Sequence, residues 1–100
     1  MITNLSFTIP GKRLYETENL VALHHPHPSY PTHLLILPKK VLPSLMDLNR
    51  DDQSLLGEVM EAVQILIKQY ELEKTGYRLI VNGGKYQDMP QLHFHLISDG

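Results

Sequence analysis

The segment Gln91-Leu92-His93-Phe94-His95-Leu96-Ile97 alternates polar and apolar residues over its first six positions, and this pattern most constrains the fold. In an extended chain alternate side chains share a face. Gln91, His93 and His95 therefore project together, while Leu92, Phe94 and Leu96 project to the other side and anchor the strand in a core. Two imidazoles in a row on a rigid element suit the presentation of a nucleophile, or of two metal ligands, at fixed spacing.

The rest of the chain supplies the partners such a strand needs. Arg13–Glu16 and Leu20–Leu23 read as short strands joined at Glu18-Asn19 in a hairpin. The run from His24 to Pro31 holds three prolines and no periodicity, which predicts a structured loop. Thr32–Leu37 is an apolar run that Pro38 ends, a buried strand with Lys39 and Lys40 emerging from it. Ser44–Leu48 reads as one helical turn, and Asp51 or Asp52 as the N-cap of a long helix. That helix carries Leu55, Val59, Val63, Leu66 and Tyr70 at helical spacing and ends at Gly76, with Ile65 and Leu72 off the stripe as possible contacts to a second subunit. Tyr77–Val81 is a further strand, followed by an Asn82-Gly83-Gly84 turn whose glycines permit positive φ. The order of elements predicts an α+β fold: a mainly antiparallel sheet of about five strands, one long helix and one short helix.

A chain of 100 residues, 42% hydrophobic and 20% charged, is expected to form a single domain over residues 1–100 with one core. A net charge of -2 argues against a broad nucleic-acid footprint. With no cysteine there is no disulfide framework and no thiolate chemistry. Met1 to Ile9 lack the pattern of a signal peptide and no stretch reaches the length of a membrane span, so the expectation is a cytoplasmic protein without membrane contact.

Three chemistries fit the histidine strand. It is the polar face of a half-buried strand, a metal site completed by His24, His25 or His27, or a site for phosphorus chemistry. In the third, one neutral imidazole attacks phosphorus while its neighbour bonds a phosphate oxygen or protonates the leaving group. The Asn82-Gly83-Gly84 turn would add backbone N–H groups and an amide for phosphate. Exposed imidazoles on a proline-rich loop are the simpler explanation of His24 and His27.

Residues Gln91 to Ile97, the run Pro31-Thr32-His33-Leu34-Leu35-Ile36-Leu37-Pro38-Lys39-Lys40, the Gly76–Asn82 strand and the long helix together resemble the histidine triad (HIT) family. The resemblance spans about Lys12 to Ile97. It implies a HIT-like fold, a homodimer, and hydrolysis or transfer of nucleotides at the α-phosphate through a nucleotidyl-histidine intermediate, with no metal or other cofactor. By position it implies that His93 is the nucleophile, that His95 contacts the phosphate and the leaving group, that His33 is an additional active-site histidine, and that Asn82 contacts substrate. Gln91 stands where the family has its first triad histidine, and His25 where many relatives have an acidic residue on the ribose hydroxyls. The substrate is then a nucleotide-like phosphate ester or amide: a phosphoramidate, a dinucleoside polyphosphate or a nucleotide sugar. A nucleotide-binding module with weakened catalysis, and a metal-binding protein, remain as alternatives.

Overall fold

A computed structural model describes residues 11–100, so the reading of Met1 to Ile9 lies outside the described residues. Five strands form one antiparallel sheet: β1 (Tyr15–Glu16), β2 (Leu20–His24), β3 (Thr32–Pro38), β4 (Arg78–Val81) and β5 (Phe94–Ser98). Their order across the sheet is β1-β2-β3-β5-β4, so the histidine strand β5 lies inside the sheet and β4 is an outer strand. The long helix α1 (Gln53–Gln69) and the short helix α2 (Leu72–Thr75) complete the expected α+β architecture.

The two faces of the sheet differ. Leu20, Ala22, Leu34, Ile36, Phe94 and Leu96 pack with Val59, Ala62, Val63 and Leu66 of α1 in the main core. Alternation sends Val21, Leu23, Leu35 and Leu37 to the opposite face, where they form a second cluster. His33 and His95 follow the same alternation, because His95 pairs with Leu35 and His33 with Ile97 across the sheet. The helix-facing leucines thus fix the strands while the histidines share the other face.

Several boundaries differ from the sequence reading. The first strand is only Tyr15–Glu16. In the turn that follows, the Thr17 hydroxyl accepts the N–H groups of Asn19 (3.2 Å) and Leu20 (3.0 Å). Lys39 and Lys40 do not simply emerge from β3: Lys39 is buried with Nζ 2.7 Å from Glu16, and Lys40 pairs with Asp52 at 2.9 Å. Asp52 does occupy the N-cap of α1, yet its carboxylate makes no capping bond there. Instead it accepts from Lys40 and from the Asn49 N–H, closing the turn Arg50–Asp52.

The helix also ends earlier than Gly76. α1 stops at Gln69, and Glu71 takes a left-handed conformation (φ 55°) before α2 runs to Gly76 at φ 86°. A non-glycine residue in that region costs about 1–2 kcal/mol. The reversal turns Leu72 inward, where it is buried in the main core, rather than outward beside Ile65. Ile65 remains exposed. Of the two glycines after β4 only Gly84 has positive φ (59°), and Gly83 is extended.

Candidate active site

The register of the central strands gathers the imidazoles. His25 lies just past β2, and its N–H donates to the His33 carbonyl (2.8 Å), extending the β2–β3 ladder by one step. Its ring lies 4.3 Å from that of His33 and 5.9 Å from that of His95. His33 and His95 are 5.2 Å apart, and His95 and His93 4.9 Å, centre to centre. The four rings therefore form a continuous row, and His33, His93 and His95 are buried. His24 points elsewhere, edge-on to Tyr70, and His27 is exposed.

Hydrogen bonds assign the protons of these rings. The Ser29 N–H donates to His33 Nδ1 (3.1 Å), so the neutral His33 ring carries its proton on Nε2. His33 Nε2 lies 2.9 Å from His95 Nδ1 and donates to it, which leaves the His95 proton on Nε2. That Nε2 is buried and meets no hydrogen-bond partner among the described residues. His93 has the opposite tautomer. Its Nδ1 lies 2.7 Å from the Gln91 carbonyl, an acceptor only, so Nδ1 holds the proton and Nε2 offers a lone pair. Adjacent histidines on one strand thus present a donor and a lone pair.

Burial keeps the donor side neutral. Desolvation, then the fields of His93, His33 and His25, push His95 down to about 4, against a smaller opposing pull from Asp88. His33 is lowered too, by burial and by His25. These rings are therefore uncharged at neutral pH. A buried, unpaired N–H donor is costly, and an oxygen of a bound anion would relieve it.

His25, His33 and His95 also offer nitrogens within 4.8 Å of one another, a spacing that suits a metal ion. The hydrogen bonds oppose that use. His25 Nδ1 accepts the His27 N–H (2.9 Å), as His33 Nδ1 accepts that of Ser29. Ligation through Nε2 would require a proton on each Nδ1 and the loss of both backbone bonds. The cluster is arranged as a set of N–H donors.

The side chain of Gln91 does not face the His93 ring nitrogen. Its Oε1 accepts the Leu42 N–H (3.0 Å), and its Nε2 donates to the carbonyls of Pro38 (3.2 Å) and Lys40 (3.1 Å). With the Leu92 N–H to Leu42 carbonyl bond (2.7 Å), this buried amide fastens the exit of β3 to the histidine segment. Regular pairing of β5 begins only at Phe94, so His93 relies on this anchorage. Asn82 follows Val81, the partner of Phe94, and therefore lies beside His93, half-buried.

Three contributors lie outside the sequence pattern. The Ser29 N–H acts through its backbone, Tyr30 lies edge-on to His33 at 5.6 Å, and Asp88 places Oδ1 3.6 Å from His93 Nε2. None belongs to a periodic segment. Asp88 alone has a chemistry that could have raised it, as the one acidic residue between Gly83 and His95.

This fold and histidine row define an α+β protein with a paired-imidazole site on one sheet face. A profile of the HIT domain matches residues 6–99, and the chain belongs to the HIT family. An uncharacterized HIT-like protein of Chlamydia muridarum is 37% identical over 90 residues, covering 88% of this chain and 71% of that protein. The purine nucleoside phosphoramidase of Escherichia coli is 29% identical over 91 residues, 89% of this chain and 76% of the enzyme. Among solved structures, a HIT family hydrolase from Legionella pneumophila superposes with a TM-score of 0.86 at 34% identity, covering 92% of this chain and 84% of the other. Among the described residues no helix is long and apolar enough to cross a membrane.

The lowered histidines couple folding to pH. An unfolded histidine titrates near ~6.5, whereas native His95 titrates at about 4. Between those values the unfolded chain binds more protons, so stability is full above the upper value and is lost as pH falls. The shift at His95 corresponds to roughly 2 kcal/mol lost between pH 7 and 5, a window above the ordinary range of Glu16 and Asp52. Urea unfolding at pH 7, 6 and 5 should show this decline in the wild type and a shallower one in His95→Asn. Equal slopes in the two proteins would contradict the assignment.

Proposed function

We propose that this protein is a nucleotide-binding hydrolase or nucleotidyl transferase that acts at the α-phosphate through a nucleotidyl-histidine intermediate. The observation that carries the reading is the opposed pair of tautomers: a lone pair on His93 Nε2 beside an N–H donor on His95. His93 Nε2 attacks phosphorus, and a nitrogen–phosphorus bond forms as the bond to the leaving atom breaks. The electron pair departs with the leaving atom, which takes a proton from solvent. Water then cleaves the intermediate, or a second acceptor takes the nucleotidyl group.

His95 acts as a hydrogen-bond donor to a phosphoryl oxygen. A neutral imidazole that gave up its Nε2 proton outright would become an imidazolate, so stabilising charge suits it better than supplying the proton. His33 is a positioning residue that holds the His95 tautomer. His25 and Asn82 contact substrate at the two ends of the row. Gln91 takes the first triad position, and the anchoring of His93 by a backbone carbonyl supports the view that this replacement is compatible with catalysis. The name of the Escherichia coli relative supports a nucleoside phosphate derivative as the substrate.

The same reading includes a cytoplasmic homodimer. Leu79 and Val81 of the outer strand β4 are exposed, as are Tyr77 just before it and Ile65 of α1. An open edge with apolar side chains favours pairing with another copy. Light scattering should give twice the 11.5 kDa chain mass for the wild type. It should give a larger monomer fraction for Val81→Lys, and a wild-type monomer would remove the dimer from the proposal.

Mass spectrometry after acid-free quenching with a nucleoside phosphoramidate tests the chemistry. The wild type should carry a nucleotidyl adduct, and His93→Ala should carry none and turn over slower by roughly three orders of magnitude or more. Binding without adduct or turnover in either protein would replace the enzyme with a nucleotide-binding module.

A further inference from the structure

Among the described residues Asp88 is the one charged side chain that pairs with the lone-pair nitrogen of the histidine row. Its Oδ1 lies 3.6 Å from His93 Nε2, beyond hydrogen-bond length, and the side chain is 77% exposed. The backbone around it is pinned. Gln87 Nε2 donates to the carbonyls of Pro43 (2.7 Å) and Met89 (2.9 Å), and the Gln91 N–H donates to the Met89 carbonyl (2.8 Å). Among the described residues the ion pairs of Lys39, Lys40 and Lys74 go to Glu16, Asp52 and Glu71, and the ring contacts of His25, His33, His93 and His95 are to other histidines and Tyr30.

A site of neutral N–H donors and one carboxylate is poorly suited to a chain of phosphates. Proteins ordinarily hold polyphosphate with arginine, lysine or a metal ion, which offset its charge. Here the nitrogen that attacks phosphorus has a negative charge beside it, and the leaving atom lies one bond beyond that phosphorus. A bound phosphoryl group must approach Nε2 to about 3–3.5 Å for reaction, so it cannot avoid that field.

We propose that Asp88 is a charge filter on the leaving group: its carboxylate beside His93 favours a neutral or cationic leaving group, such as the amine of a phosphoramidate, over an anionic one such as a nucleoside polyphosphate. The inference rests on the proposed function and decides among the substrate classes that reading allows. In the attack step the amine leaves with the electron pair of its phosphorus–nitrogen bond and takes a proton from solvent. An amine bearing N–H groups, or a positive charge, is attracted to the Asp88 carboxylate. A leaving polyphosphate is repelled by it. At a separation of about 5 Å in a watery setting each added charge changes the rate a few-fold, so two or more give about tenfold discrimination.

The test compares kcat/KM for an adenosine phosphoramidate with that for diadenosine tetraphosphate in the wild type, Asp88→Asn and Asp88→Glu, at low and high salt. Binding of adenosine 5′-monophosphate and 5′-diphosphate to the same proteins is measured alongside. Asp88→Asn should lower the phosphoramidate-to-polyphosphate ratio about tenfold and strengthen diphosphate binding relative to monophosphate, with both effects smaller at high salt. Asp88→Glu should keep most of the wild-type ratio. A purely structural residue would move both substrates together, so unchanged ratios in Asp88→Asn, in an enzyme that still turns over, overturn the filter and leave the proposed function standing. Absence of both turnover and nucleotide binding in every form overturns the proposed function, and the filter with it.

Discussion

The hydrogen bond from His33 Nε2 to His95 Nδ1 joins the fold to the site. It spans β3 and β5, neighbours whose register is set by leucines on the helix-facing side. A slip of one residue in β5 would turn His95 into the apolar core and away from His33. The same bond transmits the constraint imposed by the Ser29 N–H, so a backbone donor on the proline-rich loop determines which nitrogen of His95 bears a proton. Core packing thereby decides a protonation state.

His93 is held by different means. It precedes the paired part of β5, and its orientation comes from the Gln91 carbonyl together with the buried Gln91 amide that ties residues 38–42 to this segment. The carbonyl belongs to any residue at position 91, whereas the three side-chain bonds need an amide. Gln91 therefore acts on the neighbouring ring through the backbone and on the architecture through its side chain. A change of that side chain would keep the carbonyl that His93 meets and lose the anchorage of the segment.

Much of this was legible in the residues. The alternation from Gln91 to Leu96 placed His93 and His95 apart from the core, and the stripe from Leu55 to Tyr70 gave the helix and its buried face. Less visible was whatever depends on one backbone angle or on contacts between distant segments. Nothing in Glu71 announces a left-handed residue, and so Leu72 was misplaced. Asp52 reads as an ordinary N-cap, and only the approach of Lys40 and Asn49 redirects its carboxylate. The histidine row was legible as members, since His25, His33, His93 and His95 could each be singled out. Their order and tautomers were not, because Ser29 and Gln91 contribute through backbone atoms that every residue possesses.

The central claim is that neighbouring histidines hold opposite neutral tautomers, and nitrogen-15 chemical shifts of the imidazoles at pH 7 test it most directly. The account predicts a protonated Nδ1 and bare Nε2 for His93, with protonated Nε2 and bare Nδ1 for both His33 and His95. In His33→Ala the His95 resonances should become an average of the two tautomers while those of His93 stay unchanged. A protonated Nε2 on His93, or a bare Nε2 on His95 in the wild type, would contradict the account.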